Sequence, residues 1–152
     1  GVVIDAPCSI APDSVDKEVD LGEVTTAVIN ANKKSTPVAV DINLQNCVLS
    51  DPDDETATPI TKVEVTFSST ATYASDTSLL SNTYASGAEN VGVRLLDNDE
   101  ANITLGSAKT VDLLPNSDTQ TLHFKARMEV PTGTTATAGQ VEANANYVLM
   151  YK

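Results

Sequence analysis

The chain has 152 residues, a length that fits one domain with a buried core. Apolar residues make up 41% and aromatic residues 4%, with no Trp, which excludes a disordered chain and leaves the core to Val, Leu, Ile and Ala. Lys and Arg number 9 and Asp and Glu 21, a net charge of −12; phosphate backbones and anionic lipid repel such a chain, so nucleic-acid binding is set aside, and the charge itself reads as solubility.

In chain order, residues 2–6 read as a short strand running into Pro7 and Cys8. Residues 19–24 (VDLGEV) read as a second, with Gly22 marking a bulge or switch. Residues 37–46 alternate cleanly, placing Val38, Val40, Ile42 and Leu44 inward. Cys47 falls on the outward parity, so the register must break near Asn46 if Cys47 is to bridge inward or sideways. An acidic loop with two prolines follows, SDPDDETATP. Residues 60–68 form a strand with Val63, Val65 and Phe67 on one face. Residues 69–90 are mostly loop, with a short strand or helical turn around 79–84. Residues 91–96 (VGVRLL) are a strand that DNDE turns into ANITLG, the return arm of a hairpin. Residues 111–114 are a short strand before the PNSD turn. Residues 119–130 put Leu122, Phe124, Ala126 and Met128 inward. The chain closes on GQVEANANYVLMYK, where Val141, Ala143, Ala145, Tyr147, Leu149 and Tyr151 alternate with mostly polar neighbours. Short strands, regular turn signals and no convincing helix give an all-β sandwich of Ig-like type in one domain over residues 1–152.

Little in the chain builds chemistry. His123 lies on the polar face of a strand, where a lone histidine is ordinarily a solvated side chain. No serine sits in a GxSxG elbow. Asp51, Asp53 and Glu55 have calcium-loop spacing, but Thr56 stands where the loop needs Gly and Lys62 where it needs Glu; the cluster reads as a solvated turn. Asn102-Ile103-Thr104 is a glycosylation sequon with meaning only in a suitable host. No metal, cofactor or enzyme active site is implied, and no apolar run approaches membrane-spanning length. The two cysteines, Cys8 and Cys47, match no metal motif. They are free thiols or one disulfide, and the position of each after a predicted strand suits a bridge. A bridge closing a loop of this length would stabilise by roughly 4 kcal/mol and would place the chain in an oxidising compartment.

Several segments together resemble the pilin subunits of the bacterial chaperone–usher pathway, in particular the major subunits of type 1 and P-like fimbriae. The opening block GVVIDAPCSIAPDSVDKEVDLGEV is similar to the family's, through Gly1, Val2 or Val3, Ala6, Cys8, Ser14, Asp16, Val19, Leu21 and Gly22. VDINLQNC resembles the block with the second cysteine; ENVGVRLLD and TLHFKARM resemble later strands. Gly139, fourteenth from the end, and the penultimate Tyr151 match the C-terminal signature. The resemblance implies an Ig-like sandwich lacking its last strand and completed by a donor strand from a partner. It implies a non-enzymatic fimbrial subunit on a Gram-negative cell surface, assembled through the periplasm. Its partners would be neighbouring pilins, a periplasmic chaperone and an outer-membrane usher. The major shaft subunit is the first expectation, and a minor adaptor or terminator pilin or a secreted ligand-binding sandwich the alternatives. The groove and its interfaces are expected at Val3, Ile4, Gly139, Val141, Ala143, Ala145, Tyr147, Leu149 and Tyr151. Family members carry an apolar N-terminal extension before the block that starts here at Gly1, so the chain as it stands is expected to accept a donor strand and not to supply one.

Overall fold

The computed structural model describes residues 6–152. The expected opening strand, with Val3 and Ile4, lies outside the described residues except for Ala6, which belongs to no element. Strands β1 (Ser9–Ile10), β2 (Val38–Gln45), β8 (Gln120–Glu129), β6 (Gly92–Asp97), β5 (Asp76–Ser81) and β4 (Thr72–Tyr73) pair in that spatial order into a six-stranded antiparallel sheet. Strands β7 (Lys109–Asp112), β3 (Lys62–Ser68) and β9 (Asn146–Tyr151) form a second, three-stranded sheet. Two short helices, α1 (Pro12–Val15) and α2 (Thr26–Asn32), lie between β1 and β2. No helix among the described residues is long and apolar enough to cross a membrane.

Alternation decides which face each long strand buries. Ile42 and Leu44 on β2, Val63, Val65 and Phe67 on β3, and Leu122, Phe124, Ala126 and Met128 on β8 are all buried, as their parity requires. Phe67 meets Phe124 edge to face across the two sheets, with centroids 5.0 Å apart. At the end of β2, Asn46 adopts a left-handed conformation (φ 53°). This breaks the register and turns Cys47 inward, where it is buried and joined to Cys8 by a disulfide. The bridge holds the segment entering β1 against the end of β2.

Four expectations need correction. Residues 19–24 form no strand. They run without regular structure, and among the described residues no strand lies alongside to receive their hydrogen bonds. The chain does contain helices: in α2, Thr25 caps the N-terminus by accepting from Val28 N–H (3.2 Å), and Lys33 ends the helix in the left-handed region. Ile29 is the one buried residue of α2, so the segment carries no helical apolar stripe to read. The ANITLG arm pairs only through an isolated bridge, Leu96 to Asn102, and then crosses toward the second sheet, where Gly106 N–H donates to Phe67 O (2.8 Å). The terminal strand begins at Asn146 and not at Gly139.

On the face of the larger sheet that points away from the second sheet, Arg94 is buried between two carboxylates. Its Nε donates to Glu129 (2.7 Å) and its Nη2 to Asp76; Arg127 donates to Glu129 from the other side (3.2 Å). The hydrogen bond from Arg94 holds the Asp76 carboxyl below its ordinary value, against the opposing effect of burial. A carboxylate with a lowered folded pKa adds stability above the unfolded value, near pH 4, and that stability is lost as pH falls through the folded one. Arg94→Met is therefore expected to cost about 3 kcal/mol at pH 7, because it leaves Asp76 without its cation and Glu129 with Arg127 alone. The deficit should shrink toward pH 2.5, as Asp76 takes up its proton. Urea unfolding at the two pH values tests this, and a deficit independent of pH would contradict the ion-pair assignment.

Candidate functional site: a cleft between the sheets

The second sheet is half the width of the first, and β9 lies at its edge with β3 as its single strand neighbour. Beyond β9, part of the inner face of the larger sheet has no strand of the second sheet over it, although most of its side chains are buried. The result is a cleft of about 1240 Å³. Its floor is apolar: Val40 and Ile42 from β2, Val93 and Leu95 from β6, and Ala126 and Met128 from β8. One lip is residues 14–26, and the other is residues 137–147.

Among the described residues, no strand pairs with residues 17–24 of the first lip or residues 143–145 of the second; Gln140 O and Glu142 O accept from Ala88 N–H (2.9 Å) and Thr83 N–H (2.8 Å) on the side away from the first lip. From residue 17 to 24, the one hydrogen bond made by the backbone among the described residues is Gly22 N–H to the Asp20 carboxylate (2.8 Å). Val19, Leu21 and Val24 are nevertheless half-buried, and Glu18, Asp20 and Glu23 are exposed. The segment has the side-chain arrangement of a strand and lacks only the ladder. On the other lip, Val141 and Ala143 are half-buried, Ala145 is exposed and Tyr147 is half-buried.

The ends of the cleft are pinned. At one end Ser14, fully buried, accepts at its Oγ from Asn43 N–H (2.8 Å), and its carbonyl accepts from the Tyr147 hydroxyl (2.7 Å). Burial pushes the Tyr147 phenol up, so it remains a donor throughout the physiological range. At the other end the Asn82 amide donates to Ala88 O (2.9 Å) and Gln140 O (2.7 Å), and its Oδ1 accepts from Glu142 N–H (2.9 Å). Gly139 sits where the second lip leaves this anchor. Its φ is +148°, and a Cβ there would lie 2.6 Å from Ala88 N, so glycine alone fits the approach.

Of the residues expected at a groove, Gly139, Val141, Ala143, Ala145 and Tyr147 line the cleft. Leu149 and Tyr151 do not line it; both pack on the main core beneath β3. Burial, and then the nearby Tyr147, push the Tyr151 phenol up. Val3 and Ile4 lie outside the described residues. The floor residues, Ser14 and the first lip were missed as site residues. Their inward parity is legible in the sequence, but nothing there says which part of the inner face is left uncovered.

Among the described residues no cluster of His, Cys, Asp or Glu has the geometry of a metal site. The cleft offers apolar surface and, along residues 17–24, backbone without a ladder among the described residues.

Replacing Gly139 by Ala is expected to destabilise the protein by about 2 kcal/mol, through the contact with Ala88 and backbone strain together. Gly133→Ala is the control: φ there is +79° and a Cβ would meet nothing within 4 Å, so strain alone should cost about 1 kcal/mol. Equal losses in denaturant unfolding would show that the close approach at Gly139 carries no weight.

The comparisons with known proteins agree with this geometry. The family model described as "Fimbrial protein" matches residues 1–152. The uncharacterized fimbrial-like protein YbgD of Escherichia coli (strain K12) is 52% identical over 154 residues, covering 100% of this chain and 82% of that protein. The type-1 fimbrial protein A chain of the same strain is 37% identical over 155 residues, covering 100% of this chain and 80% of that protein. Among solved structures, the P pilus rod subunit PapA superposes with a TM-score of 0.79 at 23% identity, covering 97% of this chain and 100% of that one, a likeness of fold. The Ig-like architecture and the resemblance to chaperone–usher pilins read from the sequence both hold, and the chain belongs to the fimbrial protein family, as a structural pilin and not an enzyme.

Proposed function

We propose that this fimbrial subunit is the major shaft subunit of an adhesive fimbria, a single pilin domain over residues 1–152 that polymerises by accepting a β-strand from a neighbouring subunit. The observation that carries the reading is the cleft itself: an apolar floor between two lips, one of which, residues 17–24, makes no backbone ladder among the described residues, while the other leaves Val141 and residues 143–145 without a backbone hydrogen bond. A strand laid between residues 17–24 and 139–147 would pair with both lips and pack on Val40, Ile42, Val93, Leu95, Ala126 and Met128. The 37% identity to a type-1 fimbrial protein A chain supports the fimbrial-subunit part of the reading.

The energetics favour a long-lived joint. Each apolar side chain fully buried by the incoming strand contributes about 1.5–3 kcal/mol, and each ladder hydrogen bond adds about 1 kcal/mol net. Ordering the strand costs about 1–2 kcal/mol per residue. Part of that cost is absent here, because the receiving lips are already pinned at their ends. The same cleft would be held by a periplasmic chaperone before assembly and handed over at an outer-membrane usher, with the finished fimbria outside a Gram-negative cell.

Thermal unfolding with and without a synthetic peptide of alternating apolar residues tests the reading. With peptide at about 1,000 times its Kd, linkage stabilises by about 4 kcal/mol and raises Tm by about 10 °C for a chain of this size. An unchanged Tm across peptides of this pattern would mean that the cleft takes no strand.

A further inference from the structure

The lips of the cleft are strongly acidic. Asp16, Glu18, Asp20 and Glu23 on the first lip and Glu142 on the second all line it and all are exposed, with Lys17 as the single basic residue. Among the described residues none of these five carboxylates lies within ion-pair distance of a cation. Lys62, Arg94, Lys109, Lys125, Arg127 and Lys152 are paired elsewhere. Six of the 9 basic side chains are thus committed to other carboxylates, and Lys17 is the one cation the rim has against its five carboxylates among the described residues.

The positions of these charges matter as much as their number. Glu18 and Asp20 alternate with the half-buried Val19 and Leu21, and Glu142 with the half-buried Val141 and Ala143. A strand lying between the lips would point alternate residues at the apolar floor. Its remaining residues would point outward, level with Glu18 and Asp20 on one side and Glu142 on the other. Facing side chains on adjacent strands interact directly, and like charges there are destabilising.

Building on the strand-accepting reading above, we infer that the segment this cleft receives carries lysine or arginine at the positions between its apolar residues. The apolar positions supply affinity and the basic ones select the occupant and speed its arrival. Complementary charge acts mainly on association rate and partner choice, and salt weakens it.

Two fluorophore-labelled nine-residue peptides test this. Both have valine at alternate positions; one has lysine between the valines and the other glutamate. At about 20 mM salt the lysine peptide should associate about tenfold faster, and the gap should close at about 0.5 M salt. The variant Glu18→Gln/Glu23→Gln/Glu142→Gln removes three of the five rim carboxylates, from both lips, without removing any side-chain hydrogen bond in the structure, and should lose most of the gap. The variant Asp53→Asn/Glu55→Gln/Asp118→Asn makes the same change in charge away from the cleft and should keep it. Both peptides raising Tm with equal association rates would leave strand acceptance standing and overturn the charge inference. Equal loss of the gap in the two variants would also overturn it, assigning the effect to net charge. If neither peptide raises Tm, strand acceptance fails and the charge inference fails with it.

Discussion

Covering the inner face of a six-stranded sheet takes a partner of comparable width, and here the opposing sheet has three strands. Much else in the molecule follows from that mismatch. The main core fills the space between β3 and the strands facing it. A smaller cluster, with Ile29, Val91, Met128 and Val130, lies beneath α2. The cleft runs between them. Leu21 and Val141, one from each lip, pack against both clusters and are the thin apolar connection joining them. A strand inserted in the cleft would turn two cores into one. Such cooperativity explains why an occupant of modest length can have a large effect on stability: it adds its own burial and also couples the two clusters to each other.

The mismatch persists because the frame around it is tied down. Ser14 acts as a keystone, fully buried, bonded to β2 through its hydroxyl and to β9 through its carbonyl. Asn82 does the corresponding work at the other end with three hydrogen bonds to the loop and lip beside it. The disulfide secures the start of the chain to the end of β2, and Arg94 ties β5, β6 and β8 together on the opposite face. Both ends of the cleft are thereby fixed.

How much of this was legible depends on where each residue's partner lies. The inward parities of β2, β3 and β8 were plain, because those strands find their neighbours within the chain and alternation is enough to assign their faces. The break at Asn46 was legible too, since Cys47 otherwise falls on the wrong side. Residues 19–24 and 139–145 carry equally good alternation, yet neither forms a strand. Alternation reports which side chains prefer burial; it does not report whether a second backbone is present to pair with. α2 was missed for the complementary reason, as a helix held by Thr25, Lys33 and a single buried isoleucine has no periodic stripe. The cleft floor had the weakest signal of all: Ile42 and Leu44 share a parity and a strand, and only the width of the opposing sheet separates the one that lines the cleft from the one that does not.

An open apolar cleft beside a free sheet edge is an aggregation hazard, and the edge strand β9 also exposes Val148 and Met150 on its outer face. The acidic lips bear on that hazard. Two copies meeting cleft to cleft about a twofold axis would set each acidic lip against another acidic lip, so the symmetric, self-closing association is the one that charge opposes most directly. An association in which a different segment of one chain enters the cleft of the next carries no such penalty. It is also heterologous, since donor and acceptor surfaces differ, and heterologous contacts that do not close into a ring propagate as a fibre. On the strand-accepting reading, these carboxylates would bias self-association away from dimers and toward the open-ended geometry of a fibre.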